Sequence, residues 1–74
     1  MDLNLFIEKF AKAVEVEDFS SLEPNTEFRS LEEWSSLSVM FLIAFYDEEF
    51  NKEIGDSDIR NCTTIKDLYD LATA

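Results

Sequence analysis

Seventy-four residues give one domain, residues 1–74, near the lower limit for a core that folds without disulfides or a metal. Seventeen acidic against six basic residues set a net charge of −11 and a pI near 4.1, a surface that the phosphates of DNA and RNA repel, so nucleic acid is excluded as a partner. The lone Cys62 rules out an internal disulfide, and the absence of histidine removes the commonest general base and the usual serine triad.

The chain offsets its small size with apolar content, 46% of residues, including seven Phe, one Trp and two Tyr. A single Gly and a single Pro argue against hairpins and tight turns and favour an all-α domain. From an Asp2 cap, Leu3, Phe6, Ile7, Phe10 and Val14 recur at helical spacing, with Glu8, Lys9 and Lys12 on other faces. This predicts a first helix over roughly 2–16. Residues 18–33 break the period with Ser20, Ser21, Pro24, Asn25 and Thr26 and read as a long loop, pinned to the core by Leu22, Phe28 and Leu31.

A second helix starts at Ser35 or Ser36 and runs to about Phe50. Leu37, Met40, Ile43, Tyr46, Asp47 and Phe50 fall near one side of it, and Val39 and Leu42 widen that side. Phe41 and Phe45 fall on the other side with Ser38 and Glu48. A helix so apolar all round is expected at the centre of the fold, with Phe28 or Leu22 of the loop covering Phe41 and Phe45. The competing expectation is an exposed Phe41 that anchors a partner. Gly55 suits the helix exit or the turn after it. Asp56 to about Asn61 makes a short third helix, in which Cys62 follows as a core filler among Ile59, Ile65 and Leu68. Thr64-Ile65-Lys66-Asp67 reads as a capping box opening a last helix with Ile65, Leu68 and Leu71 buried. The expected fold is an all-α three-to-four-helix bundle with a long loop between the first two helices.

Little in the chain can do chemistry. No glycine-rich phosphate loop is present, Asp56 and Asp58 alone do not make a calcium loop, and Asp47, Glu48 and Glu49 read as a solvated face. The chain is not expected to be an enzyme. No segment is apolar enough to span a bilayer, and the N-terminus lacks the basic start of a signal peptide, so a cytoplasmic monomer is expected. What remains is Ser35, Ser36 and Ser38 at the second helix start, where the plain reading of a serine is an N-cap.

In order along the chain, Phe28, Leu31, Trp34, Ser36-Leu37, Leu42-Ile43, Glu48-Glu49-Phe50, Ile54, Asp56, Asp58 and Thr63-Thr64-Ile65 resemble the pattern of acyl carrier proteins of the phosphopantetheine-attachment family, over almost the full chain. The resemblance implies that Ser36 bears a 4'-phosphopantetheine arm, transferred from coenzyme A by a phosphopantetheinyl transferase with magnesium. Acyl or aminoacyl intermediates would be held on the arm as thioesters and carried between enzymes of a fatty-acid, polyketide or peptide-like pathway. It further implies that Ser35, Leu37, Ser38, Phe41, Asp47 and Glu48 face the transferase and the acyl-loading and acyl-transferring enzymes, whose docking patches would be basic. Two departures stand out. The family's acidic residue before the attachment serine is Ser35 here, and acidic positions of its recognition helix are Ser38 and Phe41, which points to a specialised carrier. The reading from another class is an acidic helical interaction module with no prosthetic group.

Overall fold

The computed structural model describes residues 1–74 and contains four helices: α1 (Leu3–Ala13), α2 (Ser36–Phe50), α3 (Asp56–Arg60) and α4 (Ile65–Thr73). They form a small all-α bundle without strands; one isolated bridge joins Glu27 to Thr64.

α1 begins where the Asp2 carboxylate accepts the Leu5 N–H at 2.8 Å. It stops at Ala13, short of the expected residue 16, because Glu15 adopts the left-handed region at φ 64°. The N–H of Glu15 then donates to the Lys12 carbonyl (3.3 Å) and that of Val16 to the Ala11 carbonyl (2.8 Å), the crossed pair of a Schellman ending. Val14 and Val16 are both buried by this reversal, so the apolar pattern runs on after the helix has ended.

The long loop contains two 3-10 turns, Phe19–Ser21 and Phe28–Ser30. Leu22 and Phe28 are buried and Leu31 is half-buried, so the expected pins are in place. The Phe28 ring meets Phe10 (centroids 6.4 Å apart) and Trp34 (4.9 Å) edge to face. Pro24 and Thr26 present carbonyls to the N–H groups of Lys66 (2.8 Å) and Ile65 (3.0 Å), satisfying two donors that the first turn of α4 leaves unpaired. Arg29 reaches across to α3, donating to the carbonyls of Ile59 (3.1 Å) and Cys62 (2.6 Å). The loop is thereby fastened at both ends of the α3–α4 junction.

In α2 the buried side is Ser38, Leu42, Phe45 and Tyr46. This corrects the expected stripe: Tyr46 is buried and Ile43 and Phe50 are half-buried, but Leu37, Met40 and Asp47 are exposed. The cause is that α2 is apolar on both sides and only one side meets its neighbours. α1 supplies Phe6 against Phe45 (5.7 Å) and Phe50 (6.0 Å), and the Tyr46 hydroxyl donates to the Leu68 carbonyl of α4. Phe45 packs on Phe6 of α1 and on Tyr46 and Phe50 of its own helix. Phe41 is exposed. Burial pushes the Tyr46 phenol well above its ordinary pKa.

Asn51, in the left-handed region at φ 50°, ends α2, with its N–H on the Asp47 carbonyl at 3.1 Å. Gly55 does not serve as the exit; it is extended (φ −115°, ψ 175°) and caps α3, its N–H donating to the Asp58 carboxylate at 2.9 Å. Cys62 is buried as a core filler, and burial pushes its thiol pKa up. The capping box of α4 forms: the Asp67 N–H meets Thr64 Oγ1 at 3.2 Å, and the Asp67 carboxylate accepts the N–H groups of Thr63 (2.9 Å) and Thr64 (3.0 Å). Those bonds hold the Asp67 carboxyl below its ordinary pKa. Ala72 joins Ile65 and Leu68 as the buried set of α4, with Leu71 only half-buried.

Candidate functional site

The start of α2 is built by residues on both sides of Ser36. Upstream, the Trp34 N–H bonds the Leu31 carbonyl at 3.0 Å while its indole packs on Phe28, anchoring the segment to the loop. Ser35 is the extended N-cap residue (φ −143°, ψ 178°), and Ser36 is the first helical residue. Ser35 thus takes the N-cap position that the plain reading gave to Ser35 or Ser36, and no hydrogen bond within the chain holds the Ser36 hydroxyl. Ser35 and Ser38 form a capping box. Ser38 accepts the Ser35 N–H on its Oγ at 3.0 Å, and the Ser38 hydroxyl donates to the Glu33 carbonyl at 3.4 Å. Its own N–H returns to the Ser35 carbonyl at 3.0 Å.

Ser38 is only 2% exposed, so it does not share the surface expected to meet partners. The rest of that set does come together. Ser36 and Leu37, then Met40 and Phe41, then Ala44, then Asp47 and Glu48 follow helical spacing and are all exposed, with Ser35 beside them at the top. Leu37, Met40 and Phe41 are 57%, 64% and 40% exposed, an apolar strip between the serines and the two carboxylates. Next to the strip, a cleft of about 320 Å³ is lined by Val14, Glu15, Glu33, Ser35, Leu37 and Phe41, with Ser38 at its floor. On the other flank a more apolar groove of about 570 Å³ is lined by Met40, Ile43, Ala44, Asp47, Glu53 and Ile54.

The helix starts differ in charge. Asp2 caps α1, α3 has Asp56 and Asp58 in its first turn, and α4 has Asp67. α2 has no acidic residue at its cap or in its first turn, in a chain with seventeen acids. Its positive dipole end and unpaired N–H groups are therefore not neutralised by a helix carboxylate. Glu15 and Glu33 stand off this end, in the adjoining cleft.

Chemically, the site is an exposed hydroxyl without a base: the chain has no histidine, and no side chain hydrogen-bonds Ser36. No group of three or more His, Cys, Asp or Glu is placed to hold a metal ion, and no helix is long and apolar enough to cross a membrane. Sequence reasoning missed the inward role of Ser38. The signal was present, since Ser35-x-x-Ser38 has the spacing of the Thr64-x-x-Asp67 box, with a hydroxyl where a carboxylate is usual. No protein family, curated protein or solved structure matches the chain.

Proposed function

We propose that this chain is an acyl carrier protein that receives a 4'-phosphopantetheine arm on Ser36. The observation that carries the reading is the Ser36 hydroxyl: exposed, unbonded, and at the first position of a 15-residue helix whose start bears no carboxylate. A phosphate ester placed there meets unpaired backbone N–H groups and the positive helix end. The ordered resemblance from Phe28 to Ile65 supports the same reading, and so does the small all-α bundle.

When bound, the arm supplies a thiol for thioester formation with an acyl or aminoacyl group. The chain's own residues do the rest. Ser36 offers the attachment oxygen, and because no base stands near it, activation falls to the partner transferase. Leu37, Met40 and Phe41 offer apolar contact to that partner, and Asp47 and Glu48 offer charge to basic patches on it and on acyl-transferring enzymes. The groove lined by Met40, Ile43 and Ile54 offers apolar shelter to cargo.

The exposed strip Leu37–Met40–Phe41 also favours a second reading, an acidic interaction module that binds partners with no prosthetic group. Incubation with coenzyme A, magnesium and a broad-specificity transferase separates the two by intact-protein mass. The carrier gains one phosphopantetheine, and Ser36→Ala gains none. An unmodified, folded wild-type chain leaves the interaction module.

A further inference from the structure

We propose that Ser38 is the positioning residue for the loading of Ser36, a role that rests on the carrier reading above. Ser38 and the Tyr46 phenol are the buried hydroxyls of the chain, and no buried polar atom lacks a partner. A hydroxyl is buried without penalty only when its hydrogen and a lone pair are matched. Both matches of Ser38 lie on the segment leading into Ser36: its Oγ accepts from the Ser35 N–H (3.0 Å) and its proton goes to the Glu33 carbonyl (3.4 Å).

The other helix starts show what is particular here. In α3 and α4 the third residue also returns a bond to the cap, from Asp58 to the Gly55 N–H (2.9 Å) and from Asp67 to the Thr64 N–H (3.0 Å). Both are exposed carboxylates that only accept, and of the two only Asp67 reaches past its cap, by one residue, to the Thr63 N–H (2.9 Å). In α2 the device is buried and uncharged, and it binds residues both at the cap and two positions before it.

Loading joins Ser36 Oγ to the phosphorus that bears pantetheine in coenzyme A. The diphosphate P–O bond breaks, adenosine bisphosphate leaves, and the serine proton passes to a base of the transferase. Such an in-line displacement depends on where the attacking oxygen is held. No hydrogen bond holds the Ser36 hydroxyl, so backbone placement alone sets it. That placement is fixed by Ser38 from inside the fold and by Trp34 on Phe28.

The test measures steady-state loading by a transferase with coenzyme A on wild type, Ser38→Ala, Ser38→Cys and a control, Tyr69→Phe. The control removes a remote hydrogen bond, from the Tyr69 hydroxyl to the Met1 carbonyl (3.0 Å). All are assayed at a temperature where circular dichroism shows full folding. Ser38→Ala is expected to lower kcat about tenfold or more with KM little changed, because the docking strip is intact. Ser38→Cys leaves no cavity and puts a poorer hydrogen-bonding group in place of the hydroxyl, keeps the assay open if the alanine variant does not fold, and is expected to lower kcat in the same direction. Exchange at the Ser35 amide is expected to quicken in both, and Tyr69→Phe is expected to load as wild type. Wild-type kcat in a folded Ser38 variant overturns the proposal while the carrier reading stands. An equal loss in Tyr69→Phe also overturns it, since the effect is then one of stability. A wild-type chain that takes no phosphopantetheine overturns the carrier reading, and this role with it.

Discussion

Glu15 is an exposed, non-glycine residue held at φ 64° where α1 reverses into the loop. For an L-residue that region is disfavoured by about 1–2 kcal/mol, because Cβ crowds the neighbouring carbonyl. Glycine removes the crowding but gives the unfolded chain more freedom, worth roughly 0.5–1 kcal/mol in the opposite sense. Glu15→Gly is therefore expected to stabilise the fold by about 0.5–1 kcal/mol net, which in a domain of this size raises Tm by roughly 3–6 °C. Charge is a second contribution, since Glu15 shares a cleft with Glu33 in a chain of net charge −11. Glu15→Gln separates the two effects: it removes the charge and keeps the strained backbone. Thermal and urea melts of all three proteins, followed by circular dichroism, give the difference. If Glu15→Gly melts no higher than Glu15→Gln, the left-handed residue carries no penalty and the account of the α1 ending is wrong.

Arg29→Ala removes two hydrogen bonds to the Ile59 and Cys62 carbonyls and the cation contact over Phe28, at 4.9 Å from the ring centroid. The bonds are only part-buried, so a loss of about 1–2 kcal/mol is expected, with the fastest new amide exchange in α3. Unchanged exchange there would mean that the loop does not hold α3. Burial raises the Tyr46 pKa, so the folded state keeps a proton that the unfolded state releases. Stability is then fully present below about pH 10 and falls as pH rises beyond it. Tyr46→Phe is expected to lower stability at neutral pH by about 1 kcal/mol through the lost bond to Leu68, and to flatten the alkaline fall in Tm. An alkaline limb of the same slope in the phenylalanine variant would assign that fall to other groups.

The fold class was legible because single counts decided it: one glycine, one proline and helical spacing in α1 and α4 left little room for strands. Helix ends were less so. Val14 and Val16 keep the apolar pattern while the backbone reverses at Glu15, and nothing in the glutamate announces a left-handed residue. Gly55 drew the exit signal that Asn51 carries, since both residue types tolerate φ above zero. The face of α2 was the least legible. With Leu37, Met40 and Phe41 on one side and Leu42, Phe45 and Tyr46 on the other, periodicity does not choose, and the choice is made by Phe6 and Leu68 from other helices. Ser38 was read as a partner-facing position because the family resemblance puts it on the recognition helix, yet its two bonds are local enough to be satisfied inside the fold.

At the site, the sequence placed Ser36 at a helix start, and the structure adds that its hydroxyl is exposed and unbonded. The most direct test of the carrier reading is peptide-level mass spectrometry of the chain after incubation with coenzyme A, magnesium and a transferase. The carrier account predicts one phosphopantetheine, on the peptide containing Trp34 to Leu37 and localised to Ser36. A folded chain that stays unmodified with several transferases, or a label that sits on another residue, contradicts it.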